Sequence, residues 1–257
     1  MVNNIRSVQV IRYITPLREG GSMPAIIEAD DEFKYVLKFR GAGQGVRALI
    51  AELIGGEIAR ALGLRIPELV FADLDDSFGR TEPDEEIQDL LKFSIGQNLG
   101  LHYLSGAISF DPLVHSVDAE LASKIVWLDA YLMNMDRTPR NTNMLFWNKE
   151  LWLIDHGAAL YFHHNWETWE SQANKPFQLI KDHVLVRYAT QLREVDSVFK
   201  EILTPTLIAE ILALIPEDWL NDNYFSSSSE QRAAYSRFLE QRLINSEVFI
   251  KEAENAN

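Results

Sequence analysis

The chain opens in a period of two. Val8 and Val10 alternate with polar neighbours from Ser7 to Ile14, and Pro24 to Ala29 is a second short apolar run. Phe33 to Phe39 then sets Tyr35, Leu37 and Phe39 on one face and Lys34, Val36 and Lys38 on the other. Gly20-Gly21 and Asp30-Asp31-Glu32 punctuate these three predicted strands as turns. The period changes at Val46. Leu49, Ile50, Leu53, Ile54, Ile58, Ala61 and Leu62 recur at helical spacing and predict an amphipathic helix, closed by Gly63 with Pro67 just beyond. Leu69 to Ala72 reads as a short strand, and the acidic stretch from Asp73 to Asp89 as an exposed excursion. Leu90 to Ile95 is expected to be the last strand of this part, with Gly96 to Gly100 as the connection to the next.

Beyond that connection the pattern is mostly helical. Asp118 is a predicted N-cap for a helix over Ala119 to Met133. Met144 to Trp147 and Leu151 to Ile154 flank an Asn148-Lys149 turn and predict a hairpin. Pro205 to Ile215 reads as a short amphipathic helix and Ser229 to Glu254 as one long helix. The sum is an α+β chain. Residues 1–95 form an antiparallel sheet with one helix, and 96–257 form a mostly helical second part.

Composition narrows the function classes. A chain of 257 residues with 47% hydrophobic and 24% charged positions is built like a globular protein with a substantial core. Its formal charge of −14 argues against an extended nucleic-acid surface, which needs Lys and Arg against phosphates. The absence of cysteine excludes disulfides and thiolate metal sites and agrees with a reducing cytoplasm. No apolar stretch is long enough to span a bilayer, and residues 1–6 lack the basic and apolar segments of a secretory signal, so neither is expected.

The chemistry concentrates in two short stretches. Asn134-Met135-Asp136 ends the predicted helix, Asn141 follows five residues after Asp136, and Asp155 stands at the end of the hairpin. Asp136 can take a proton from a hydroxyl group. Asn141 and Asp155 offer an amide oxygen and a carboxylate, the hard oxygen donors that Mg²⁺ prefers. Singly, each is an ordinary turn or capping residue. An Asp, an Asn and an Asp in this order on a helix-loop-hairpin form the constellation that phosphotransferases place around Mg-ATP. Lys38, late on an apolar strand, is either an edge-strand cation in water or a phosphate ligand beneath the Gly20-Gly21-Ser22 turn. Glu52 on the helix is the expected partner for Lys38, with Glu57 as the alternative. Phe93, Ser94 and Ile95 are the expected backbone contacts for an adenine ring. His163-His164 reads as loop or surface rather than as a metal site.

Together Gly20-Gly21-Ser22, Tyr35-Val36-Leu37-Lys38, Glu52, the Asn134 to Asn143 loop and Leu153-Ile154-Asp155-His156-Gly157 resemble the HipA-like kinases, in their compact form. The resemblance spans about residues 5 to 165. It implies a bilobal protein-kinase-like fold, ATP and Mg²⁺, and transfer of phosphate to Ser or Thr of a protein. Lys38 would sit on phosphates, Asp136 would be the base, and Asn141 and Asp155 would hold the metal. The chain departs from typical protein kinases in three places. It lacks a G-x-G-x-x-G loop, it has Asn134-Met135-Asp136 for His-Arg-Asp, and His156 stands where Phe would follow the metal Asp. The acceptor therefore stays open between a protein, a small molecule and a lipid headgroup, and the transferred group between phosphate and AMP. A catalytically silent binding module is a third alternative.

Overall fold

The computed structural model describes residues 4–17, 23–78 and 83–257. Strands β1 (Arg6–Pro16), β2 (Ala25–Ala29), β3 (Lys34–Lys38), β4 (Leu69–Leu74) and β5 (Gly96–His102) close into a barrel in the order β1-β2-β3-β5-β4. All neighbours are antiparallel except β1 and β4, whose parallel pairing seals the barrel. Alternation explains the filling. Val8, Val10, Ile27, Tyr35 and Leu37 point inward and are buried.

Two segments differ from the sequence expectation. Residues Leu90 to Phe93 are not strand but the end of helix α2 (Glu85–Phe93). The Asp84 side chain caps this helix by accepting from the Glu86 amide, and Ile87, Leu90 and Leu91 then bury one helical face. The spacing is three and four, and the short apolar run concealed it. The strand comes next, at Gly96–His102, so the barrel extends past the expected boundary at Ile95.

Helix α1 (Val46–Ala61) follows β3 as expected, but it is buried on all sides rather than along one stripe. It joins the larger of the two cores, packed with helix α3 (Ala119–Leu132) and the C-terminal helices, rather than the barrel interior. After the short strand β6 (Ile108–Ser109) come α3 and the hairpin β7 (Met144–Trp147) and β8 (Glu150–Leu153). Helices α4 (Trp169–Gln172), α5 (Leu192–Ile202), α6 (Pro205–Ala213), α7 (Ser228–Ile244) and α8 (Glu247–Asn255) complete the second lobe. The expected single long helix is thus two, interrupted at Asn245-Ser246, where the fully buried Ser246 begins the turn into α8.

One segment of the helical lobe reaches back to the barrel lobe. Trp219, fully buried, lies edge-on to Phe71 of β4 with ring centroids 5.7 Å apart. Arg40 pairs with Asp218 at 2.8 Å, and Arg47 pairs with Asp222. Asp222 also accepts from the Trp166 indole at 3.0 Å. Residues 218–222 therefore strap the back of the first lobe to the second.

Candidate active site

Lys38 leaves the end of β3 toward the second lobe. Its ammonium bonds Glu52 Oε2 of α1 at 2.7 Å and also Asp155 Oδ1. Lys38 is 12% exposed, Glu52 1% and Asp155 42%, so the cation sits between one buried and one solvent-facing carboxylate. Burial presses both groups toward neutrality, and their pairing overrides it. Lys38 is held above its ordinary value by Glu52 and Asp155, and Glu52 is held at about 2 by Lys38 and His156.

Asp155 sits just past β8 in the left-handed region, at φ 56°. That conformation costs a non-glycine residue roughly 1–3 kcal/mol and turns the carboxylate out of the strand direction toward Lys38. His156 then passes under α1. A Cβ on Gly55 would stand 2.7 Å from the His156 Cβ, so only glycine lets the imidazole lie there.

The loop after α3 holds the second group. Asn141 Nδ2 donates to Asp136 Oδ2 at 2.8 Å, and Asn143 Nδ2 donates to the same oxygen at 3.3 Å and to the Asp136 carbonyl at 2.9 Å. A carboxylate only accepts, so Asn141 must turn its NH₂ toward Asp136, which leaves Asn141 Oδ1 free for a hard cation. Burial raises the Asp136 pKa and nearby Asp155 adds to the rise, against the pull of the two asparagine amides. An Asp with raised basicity suits proton abstraction.

Beneath the loop lies a buried network. Asp129, in the last turn of α3, accepts from Arg137 Nε at 2.5 Å, from Asn134 Nδ2 at 2.9 Å and from His183 Nε2 at 2.9 Å. The Leu185 amide donates to His183 Nδ1, so the proton of the neutral imidazole is on Nε2 and points at Asp129. Arg137 also donates to the carbonyl of Asn143 and to His156 Nε2 at 3.2 Å. His156 therefore carries its proton on Nδ1, which faces Glu52 Oε1 at 3.9 Å. Asp129, Arg137 and His156 form one hydrogen-bonded set and Glu52, Lys38 and Asp155 another, and the two face each other across the 3.9 Å between His156 Nδ1 and Glu52 Oε1.

The expected residues thus fall into two adjoining groups, Lys38 with Glu52 and Asp155, and Asp136 with Asn141. Phe93, Ser94 and Ile95 do not join them. Phe93 is 74% exposed at the end of α2, and Ser94 Oγ accepts from the Gly41 amide at 3.1 Å, against the turn after β3. β5 continues to His102, and the Tyr103 amide still donates to the Lys34 carbonyl of β3 at 2.9 Å. Gly20, Gly21 and Ser22 lie outside the described residues. Asp129 and His183 escaped the sequence reading, while Arg137 and Asn143 entered it only as members of the Asn134 to Asn143 loop. A signal existed for Asp129, an acid inside an apolar helical run, which requires a buried partner. The two neighbouring histidines do not converge. His163 is buried with Nδ1 on the Tyr235 hydroxyl, and its ring is perpendicular to that of His164. Among the described residues no cluster of three or more His, Asp or Glu could hold a metal by itself. No helix there is long and apolar enough to cross a membrane.

A profile of HipA-like kinases matches residues 10–249. The chain belongs to the HipA-like kinase family. Among solved structures this HipA-like kinase is similar to the proinflammatory kinase CtkA of Helicobacter pylori, with a TM-score of 0.59 and 14% identity over 98% of both chains. At that identity the likeness speaks for the fold. No curated protein matches the chain.

Proposed function

We propose that this HipA-like kinase transfers the γ-phosphate of ATP to a Ser or Thr hydroxyl of a protein acceptor. The observation that supports the reading is that the Asp136-Asn141 pair and the Lys38-Glu52-Asp155 group lie near enough for Asp155 to raise the Asp136 pKa. The donor set fits Mg²⁺, since Asn141 Oδ1 and the Asp155 carboxylate are hard oxygens beside a cation that can share the phosphates. When bound, Mg²⁺ neutralises phosphate charge. Lys38 holds the phosphates, oriented by Glu52. Asp136 orients the acceptor hydroxyl and receives its proton as the oxygen bonds the γ-phosphorus and the bond to ADP breaks. The backbone for the adenine ring lies at Tyr103-Leu104, just past the end of β5. An ATP-dependent chain without cysteine belongs in the reducing cytoplasm.

Calorimetry of Mg-ATP with the wild type and Asp155→Ala tests this. Magnesium-dependent binding that disappears in the variant is expected. A folded wild type that binds no Mg-ATP overturns the reading. The mass added to an acceptor separates phosphate from AMP transfer.

A further inference from the structure

His156 is fully buried directly after Asp155. Its Nε2 accepts from Arg137 Nη2 at 3.2 Å, and Arg137 is itself fixed by Asp129 and by the carbonyl of Asn143. The proton of the imidazole is therefore on Nδ1, where it has no hydrogen-bond partner among the described residues. A buried N–H left unpaired costs free energy, and native proteins retain few of them. This one faces Glu52 Oε1 across 3.9 Å. The other Glu52 oxygen holds Lys38 at 2.7 Å.

Packing keeps the imidazole in that place. Gly55 stands about one turn after Glu52 on the same face of α1. A Cβ on Gly55 would meet the His156 Cβ, Cγ and Cδ2 at 2.7, 3.0 and 3.2 Å. The ring is thus pressed against the helix face that carries Glu52, and its far end is anchored to Arg137 on the loop that carries Asp136. Lys38 is shared between Glu52 and Asp155, and Asp155 is 42% exposed against 1% for Glu52. The exposed carboxylate is the one free to leave. Once Asp155 turns to a cation, Glu52 alone directs the ammonium, and the direction of Glu52 depends on what holds its second oxygen.

Resting on the kinase reading above, we infer that His156 is a positioning residue for Lys38. With Nε2 on Arg137, its Nδ1–H closes onto Glu52 Oε1 as Asp155 releases Lys38, and the carboxylate then keeps the ammonium aimed at the phosphates. The same side chain ties the aim of Lys38 to the loop after α3.

The test combines the tautomer of His156 with a double-mutant cycle. In wild-type protein labelled with ¹⁵N at histidine and assigned through its backbone, the imidazole should carry its proton on Nδ1 without nucleotide. That proton should shift downfield when Mg-ATP is added. An Nε2–H tautomer, or a proton unmoved by bound Mg-ATP, overturns the inference, and this measurement needs no variant to fold. Calorimetry of Mg-ATP then compares His156→Phe, which keeps a ring and removes both nitrogens, with His156→Asn, whose amide nitrogen stands as many bonds from the backbone as Nδ1. The Phe variant should bind about tenfold more weakly, the scale of one hydrogen bond to a charged group, and the Asn variant should recover most of that loss. In the Glu52→Gln background the exchange His156→Phe should change affinity by less than about twofold, because its effect passes through Glu52. Wild-type affinity in the Phe variant, no recovery with Asn, or the same loss repeated in Glu52→Gln overturns the inference while leaving the kinase reading intact. A wild type that binds no Mg-ATP overturns the kinase reading first, and this inference with it.

Discussion

Replacing Glu52 by Gln keeps the side-chain volume and removes the charge that opposes Lys38. The expected loss follows from ionisation. Glu52 titrates at about 2 in the folded protein against an ordinary 4.5. Burial alone would raise it, so the ion pair with Lys38 and the facing His156 proton account for the net fall. A lowered folded value means that the unfolded chain takes up the proton first. The stabilisation is therefore complete above pH 4.5 and is lost as pH falls toward 2. The gap between the two values converts to about 3 kcal/mol. Glu52→Gln fixes the neutral state at every pH, so urea unfolding at pH 7 should show the variant about 3 kcal/mol less stable, with an unchanged denaturant slope. The difference between variant and wild type should shrink as both are acidified through that window. A loss below about 1 kcal/mol, or a difference independent of pH between 5 and 3, refutes the argument and assigns Lys38 to Asp155 alone.

Other changes probe the neighbouring structure. Gly55→Ala improves helix propensity by roughly 1 kcal/mol, so an isolated helix would be stabilised. Against His156 the same change should destabilise by about 1–3 kcal/mol, and the sign of the shift in the urea midpoint decides between them. Asp129→Ala leaves Arg137 buried without its carboxylate and should cost about 3–5 kcal/mol in the same titration. Asp129 itself is held below the usual carboxylate range, against its burial, by Arg137 and His183, so its contribution too is present at neutral pH and fades on acidification. Trp219→Ala should cost about 3–5 kcal/mol, and proteolysis should then cut the connection between the lobes faster than in the wild type.

Much of the architecture was legible because the period of the pattern changes where the structure changes. Alternation marked β1 to β3, and the Asp118 cap with its apolar run marked α3, now seen to accept from the Leu121 amide. The short apolar run at Leu90 to Ile95 misled because six residues sample a period of two and a period of 3.6 almost equally well. The break at Asn245-Ser246 had only a weak signal, an Asn that can end one helix and a Ser that can begin the next, within a helical pattern that continues on both flanks. Around the site, residues close in sequence were readable together, as Asp136 and Asn141 show. The roles of Asn143 and His156 depend on side chains that meet only after folding. His156 looked like a substitution for an aromatic residue, and its place between Arg137 and Glu52 needs both lobes to be assembled.

The strap at residues 218–222 has a mechanical meaning. A two-lobed enzyme joined by one chain crossing is a door on a single pivot, free to swing in several directions. Here the covalent crossing past β5 is one pivot and Trp219 against Phe71 is a second, with Arg40 and Arg47 pinned beside it. The Leu153 amide on the Arg65 carbonyl at 2.9 Å and the Arg65–Glu150 pair at 3.0 Å add a third joint on the hairpin side, so the lobes are fastened at several separate places rather than at one. The buried side chains of β1, β2 and β3 belong to a core separate from that of the helical lobe, so these joints rather than a shared interior hold that end of the barrel in place.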